Sequence, residues 1–255
     1  MRAIIIGAGR GMRLMPTTAD TPKCFAEVGG KSILDWSLEA LRSNGVDDIC
    51  FIGGYLIEEV RKRHPEFTFR HNDNWPNNNI LASLFYAEDL MDEPFLCCYS
   101  DILFSPRSVA SLLASADDAT LVVDTAWAAR YEHRTEHPPS DAEKVIVENG
   151  QVTRIHRDID VDDAYGEYIG VAKFSAQGAE NLKRHYHRCR QLYAGRPFRE
   201  APTFEKAYKI HLFQEMIDAG ERMTHVDTPG AYIEIDTQED FEYARNYWVD
   251  RHFGR

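Results

Sequence analysis

The stretch from Ala3 to Leu14 constrains this chain more than any other. Ala3-Ile4-Ile5-Ile6 is an apolar, largely β-branched run that opens directly into Gly7-Ala8-Gly9-Arg10-Gly11-Met12-Arg13-Leu14. That order reads as a buried strand delivering an anion-binding loop, because only glycine lets backbone N–H groups approach a phosphate so closely. Arg10, Arg13 and, after Pro22, Lys23 add cations to it. Glycines with these cations predict a grip for a polyphosphate rather than a merely structural turn.

The common phosphate-loop motifs fail on spacing. No strand precedes Gly30-Lys31-Ser32, so it is not the Gly-Lys-Ser end of a P-loop. A dinucleotide fingerprint needs a third glycine where Met12 stands, and the ribose-binding acid expected about twenty residues on falls in the Gly29-Gly30-Lys31 turn.

Beyond the loop, the apolar pattern alternates between strand and helix. Ser32 is the expected N-cap of a helix carrying Ile33, Leu34, Trp36, Leu38 and Leu41 and ending near Asn44-Gly45. A strand over Asp48–Ile52, a short helix over Ile57–Arg63 and a strand over Phe67–Arg70 follow. This rhythm predicts a parallel sheet covered by helices. His71–Asn79 carries five asparagines and no periodicity, and it leads into a helix expected over Leu81–Leu90. A loop at that end of a strand lies where open α/β sheets bind ligands. Pro94–Asp101 is expected as a buried strand that terminates in an acidic residue, followed by a helix over Pro106–Ala114 and a strand over Thr120–Asp124.

The second half changes character. Asn149-Gly150, between Lys144–Glu148 and Gln151–His156, is the strongest hairpin signal in the chain. The acidic run Asp158–Asp163 lacks EF-hand spacing and is expected as an exposed loop. A strand over Tyr168–Phe174, helices over Gln177–Tyr193 and Phe204–Ala219, strands over Met223–Asp227 and Tyr232–Asp236, and a last helix over Thr237–Trp248 complete the reading. No linker divides the 255 residues. One domain is expected, with a nucleotide-binding half over residues 1–125 and an acceptor-binding half over 126–255.

Composition excludes several classes. A formal charge of −12 argues against a broad nucleic-acid footprint. Five cysteines without C-x-x-C spacing suit a reduced protein with buried thiols. The N-terminal apolar run is too short for a signal peptide, and no segment has bilayer-spanning length. The expectation is a soluble cytoplasmic protein binding neither nucleic acid nor membrane, with assembly as a homodimer left open.

Ala8-Gly9-x-Gly11-x-Arg13-Leu14, then Pro16, Thr18, Pro22-Lys23 and Val28-x-Gly30-Lys31-x-Ile33-Leu34, resembles the signature of the nucleoside-triphosphate transferases, the sugar-phosphate nucleotidylyltransferase-like superfamily. Ile6-Gly7-Ala8-Gly9 replaces that group's usual Leu-Ala-Ala-Gly. The resemblance implies a three-layer α/β/α sandwich with a mixed, mostly parallel Rossmann-like sheet. It also implies an Mg²⁺-dependent enzyme. The chemistry agrees, because bringing a dianion onto a tetra-anion calls for charge neutralisation and alignment at the α-phosphorus. Ala8, Gly9, Arg10 and Gly11 would line the phosphates, Arg13 would hold their far end, and Lys23 would reach the α-phosphate and the attacking oxygen. Asp101 matches the superfamily's metal aspartate, and Glu234-Ile235-Asp236 its second metal motif. Asp236 has a second reading as N-cap of the last helix.

The Gln-x-x-Pro-x-Gly-x-Ala stretch of hexose-1-phosphate enzymes is absent. Asn77-Asn78-Asn79-Ile80-Leu81-Ala82-Ser83-Leu84 instead is similar to the cytidylyltransferases that activate phosphocholine and 2-aminoethylphosphonate, although the Asn-to-Ser spacing differs by about one residue from the phosphocholine type. This implies CTP as donor, with Asn78, Asn79 and Ser83 near the base, and a small phosphoryl or phosphonyl acceptor. Gly166-Glu167-x-x-Gly170 resembles an acceptor strand of the same enzymes. Glu167 is a candidate partner for an amine, and Trp127, Tyr131 and Tyr208 are candidate walls for a cation, with a plain core role open for each aromatic. A sugar-phosphate nucleotidylyltransferase, a non-catalytic nucleotide sensor and, last, an NAD-dependent dehydrogenase are the rival readings.

Overall fold

The computed structural model describes residues 1–132 and 134–253, the side chains of Tyr247, Asp250 and Phe253 excepted. The first half contains β1 (Arg2–Gly7), the short ribbon β2 (Glu27–Val28) and β3 (Lys31–Ser32), α1 (Ile33–Arg42), β4 (Asp48–Gly53), α2 (Ile57–Arg63) and β5 (Thr68–His71). After it come α3 (Ile80–Leu84), β6 (Phe95–Tyr99), β7 (Ile102–Phe104), α4 (Pro106–Ala114) and β8 (Ala119–Asp124). The second half holds α5 (Ala128–Tyr131), β9 (Lys144–Glu148), β10 (Gln151–His156), β11 (Gly166–Phe174), α6 (Ala176–Tyr193), α7 (Lys209–Asp218), β12 (Thr224–Thr228), β13 (Tyr232–Glu234), α8 (Gln238–Tyr243) and α9 (Val249–Phe253).

Nine strands form one mixed sheet in the order β5-β4-β1-β6-β11-β8-β12-β10-β9. Its first four strands are parallel, and β11 enters antiparallel to both β6 and β8. Pleating divides β1 between the two faces: Ile4 and Ile6 pack beneath α3, α6 and α7, whereas Ala3 and Ile5 pack beneath α1, α2 and α4. The expected three-layer sandwich is present. Among the described residues no helix is long and apolar enough to cross a membrane.

The local signals act as the residue chemistry requires. Ser32 caps α1 by accepting from the Asp35 N–H at 3.1 Å, with Asp35 completing the capping box. Asn149 and Gly150 take φ values of 52° and 73°, the left-handed pair of a tight hairpin turn between β9 and β10. Asp158, Asp160, Asp162 and Asp163 are exposed, and all five cysteines are free and buried.

Three expected elements differ. The helix expected over Leu81–Leu90 ends at Leu84 and continues as tight 3₁₀ turns, because Ala87 leaves helical geometry at φ −108°, ψ 22°. The helix expected from Phe204 begins at Lys209, since Phe204–Lys206 forms a separate 3₁₀ turn and the Glu205 carbonyl accepts from the Asn79 N–H at 2.9 Å. The strand expected over Tyr232–Asp236 shortens to β13 and leaves the main sheet for a ribbon with β7. A third apolar cluster joins Leu14, Val28, Leu103, Ile233, Ile235 and Trp248, fastening the glycine loop, that ribbon and the C-terminal helical rod into one base.

Candidate active site

An open cleft with about 390 Å³ of room runs from the glycine loop across the strand ends to the second half of the sheet. At its nucleotide end the N–H groups of Gly9, Arg10, Gly11, Met12 and Arg13 donate to no acceptor among the described residues, which is the arrangement an anion completes. Gly11 sits at φ 68° at the start of a 3₁₀ turn over Met12–Leu14, and Thr18 Oγ1 donates to its carbonyl at 2.9 Å. A Cβ on Gly11 would lie 2.9 Å from Lys23 Cδ. Gly11→Ala is therefore expected to cost about 1–2 kcal/mol of stability through the left-handed backbone. By displacing Lys23 it should also lower kcat/KM by about tenfold or more. Urea denaturation read beside steady-state rates separates the two effects.

Lys23 is the hub of the site. Its ammonium donates to Asp101 Oδ2 at 2.7 Å and also to Asp236, and Arg13 pairs with the second oxygen of Asp236. Burial disfavours its charge, yet Asp101, Asp236 and Glu234 together outweigh that cost and hold its pKa above the ordinary lysine value. The same field separates the two carboxylates of the Glu-Ile-Asp motif. Burial works against ionisation of Asp236, but Lys23 and Arg13 keep it below the usual aspartate value. Burial, then repulsion from Asp236 and Asp101, raises Glu234 well above the usual glutamate range.

The backbone brings these groups together. The Ile235 N–H donates to the Asp101 carbonyl at 2.9 Å, tying the segment after β6 to the segment after β13. Thr237, not Asp236, is the N-cap of α8, so the second reading of Asp236 falls away. Asp240 accepts from the N–H groups of Asp236 and Thr237 at 3.0 and 2.9 Å and from Arg134 Nε at 2.6 Å. Arg134 also donates to the Glu234 carbonyl at 3.2 Å. His137, Glu234 and Asp236 each offer a ligand atom, all within 4.8 Å of one another. Hard oxygens converging around a bound ammonium suit a divalent cation. Neither His137 nor Asp240 was foreseen: nothing local marks His137, about a hundred positions away, as a neighbour of this motif, whereas Thr237 with Asp240 three residues later is a capping box that the sequence does carry.

Asn78, Asn79 and Ser83 line the cleft, and a residue outside the expected set holds two of them. Asn72 is fully buried and exchanges amide hydrogen bonds with Asn78 at 2.8 and 2.9 Å. It also donates to Ser83 Oγ at 2.9 Å. Asn79 caps α3. Arg10 is not among the lining residues: its guanidinium carbon stands 5.2 Å from the Tyr55 ring centroid.

Toward the second half, Glu167 and Tyr208 line the cleft, whereas Trp127 and Tyr131 do not. Those two pack with Ala142 behind Glu167, and Tyr131 donates to Glu167 Oε1 at 2.8 Å. Their rings already face cations of this chain, Arg134 at 5.1 Å from Tyr131 and Lys144 at 5.9 Å from Trp127. Arg130 takes the other oxygen of Glu167. Tyr99, Asp141, Glu143, Arg157 and Tyr232 complete the wall and were not anticipated. Gly170, at φ 82°, makes room for Tyr99, since a Cβ there would lie 2.3 Å from its ring. The fully buried ammonium of Lys209 donates to Tyr168 Oη at 3.0 Å and to the Gly170 carbonyl at 3.1 Å, anchoring this wall from beneath.

The chain is similar in sequence and in fold to known proteins. The CTP:phosphoglutamine cytidylyltransferase of Campylobacter jejuni is 30% identical over 95% of this chain and 98% of its own length. The 2-aminoethylphosphonate cytidylyltransferase of Lancefieldella rimae is 26% identical over 72% of this chain and 71% of its own. The solved inositol-1-phosphate CTP transferase from T. maritima superposes with a TM-score of 0.73 at 22% identity, over 94% of this chain and 90% of that one. The family model for the MobA-like NTP transferase domain matches residues 3–167, and on that match this chain belongs to the MobA-like NTP transferase family.

Proposed function

We propose that this protein is an Mg²⁺-dependent cytidylyltransferase that joins CMP from CTP to a small phosphorylated or phosphonate acceptor and releases pyrophosphate. The observation that carries this reading is the meeting of Lys23 with Asp101 and Asp236 beside a loop whose N–H groups find no acceptor among the described residues, in a cleft that reaches on to the second half of the sheet. The choice of CTP is supported by the donors named for the Campylobacter and T. maritima proteins.

The loop N–H groups and Arg13 hold the β- and γ-phosphates, and the Lys23 ammonium faces the α-phosphate and the incoming acceptor oxygen. That oxygen is already anionic, so no general base is required. The new O–P bond forms at the α-phosphorus in line with cleavage of the bond to the β-phosphate oxygen, and pyrophosphate carries away the electron pair. Asp101, Asp236 and Glu234 would hold Mg²⁺, which supplies charge neutralisation on the phosphate oxygens when bound.

Pyrophosphate release measured with CTP, UTP, ATP and GTP across phosphocholine, 2-aminoethylphosphonate, amino-acid phosphates and glucose 1-phosphate tests this reading. CTP with a non-sugar acceptor is the expected pair. Turnover confined to UTP and a sugar phosphate, or none with any pair, overturns it. Asp101→Asn should lower kcat by about 10²-fold or more and weaken Mn²⁺ binding followed by electron paramagnetic resonance.

A further inference from the structure

Beyond Lys23 and Arg13, which face the phosphates, Arg157 is the one cation among the described residues lining the cleft, and it stands in an otherwise acidic acceptor end. Its guanidinium carbon lies 4.1 Å from the centroid of the Tyr208 ring, a stack that fixes the plane of the group. Its hydrogen bonding is incomplete. Nη2 reaches Glu143 Oε1 only at 3.5 Å, and Nε is buried without an acceptor among the described residues. A guanidinium held by its face, with Nη1 donating to no acceptor among the described residues and Nη2 only loosely paired, presents an Nη edge that matches the two oxygens of a carboxylate.

The neighbouring acids differ in what they have left to offer. Both oxygens of Glu167 are taken, by Arg130 and Tyr131. Glu143 is buried beside Arg157, with one oxygen accepting from Tyr99 Oη at 3.3 Å. Asp141 stands on the same wall, and its carboxylate accepts no hydrogen bond among the described residues. One fixed cation with two adjacent carboxylates is the complement of a group carrying both a carboxylate and an ammonium.

We propose that the acceptor is a phosphorylated or phosphonate-bearing amino acid, with Arg157 receiving its carboxylate as a bidentate pair and Glu143 and Asp141 facing its ammonium. This rests on the cytidylyltransferase reading above and deepens it, making Arg157 a specificity-determining residue. Acceptors of the choline or aminoalkylphosphonate kind bring no carboxylate and leave the Arg157 edge unmatched, which a site built to pair that group penalises.

Acceptor pairs that differ by a single carboxylate test the proposal: O-phosphoserine against O-phosphoethanolamine, 2-amino-4-phosphonobutyrate against 3-aminopropylphosphonate, and 2-amino-5-phosphonopentanoate against 4-aminobutylphosphonate, each with CTP and Mg²⁺. In the pair of matching length the carboxylate-bearing member should be favoured in kcat/KM by about 10²-fold. Arg157→Gln should reduce that preference to within about threefold, mainly by raising KM for the carboxylate-bearing member, and Arg157→Lys should restore part of it. If the decarboxylated members turn over as well as their partners in the wild type, the acceptor proposal fails while the cytidylyltransferase reading stands. If Arg157→Gln lowers both members of a pair equally, Arg157 serves their shared phosphoryl group, and the proposal fails. Absence of CTP turnover with every acceptor, or turnover only of UTP with a sugar phosphate, overturns both readings.

Discussion

Lys23→Met is expected to lower kcat/KM by about 10³-fold or more, because it removes the charge that the proposed mechanism sets against the α-phosphate. Methionine keeps most of the length of the side chain, so the loss should not come from a collapsed cleft. The same substitution should strengthen metal binding. In the ligand-free protein the Lys23 ammonium occupies Asp101 and Asp236, so a cation arriving at those carboxylates must compete with it. Mn²⁺ titration of the variant should therefore give a lower Kd than the wild type while turnover is lost. The thermal midpoint should fall in EDTA, where the carboxylates are left without a counter-charge, and recover on adding Mn²⁺. Wild-type turnover by the variant would remove Lys23 from the chemistry.

Asp240→Asn should cost about 3–5 kcal/mol of folding stability, the range for breaking a buried ion pair by removing one partner. Asp240 is fully buried, and its partner Arg134 has a side chain 1% exposed, so the loss leaves a guanidinium charge in the interior. The position also supports the N–H groups of Asp236 and Thr237, so activity should decline in the fraction that remains folded. The pH dependence has a definite sign. Burial opposes ionisation of Asp240, but hydrogen bonds from His137 and Arg134, with the Arg134 charge, carry its pKa below the ordinary aspartate value. In the acid range below about pH 4 the unfolded chain takes up the proton first, so this contribution is complete above that pH and fades as the pH falls further. Urea denaturation at pH 7 and pH 3 should show the wild type losing stability through this group on acidification and the asparagine variant losing less.

Much of this architecture is legible residue by residue, because the relevant forces are local. A strand buried on both faces needs the unbroken run Ala3–Ile6, a capped helix start needs Ser32 with Asp35, and a tight hairpin needs Asn149-Gly150 at positive φ. The mispredicted ends share a cause. The helix expected through Leu90 and the one expected from Phe204 both have helical apolar spacing, but docking of Phe204–Lys206 against Asn79 decides where the second begins. Periodicity reports which face is buried, not where a neighbouring segment interrupts the backbone.

The site divides along the same line. By itself the sequence marked the glycine loop, Arg13 and Lys23 as suited to a triphosphate, because their chemistry is local, and Asp101 and the Glu234/Asp236 pair as candidate metal ligands through the family resemblance. Only the tertiary structure decided that Lys23 bridges Asp101 and Asp236, that Arg134, His137 and Asp240 brace them, that Asn72 holds Asn78 and Ser83, and that Arg157 rather than Trp127 or Tyr131 lines the cleft. The physical reason is that these residues lie on different strands and loops, and only closure of the mixed sheet and docking of the β13–β7 ribbon bring their charges close enough to interact strongly.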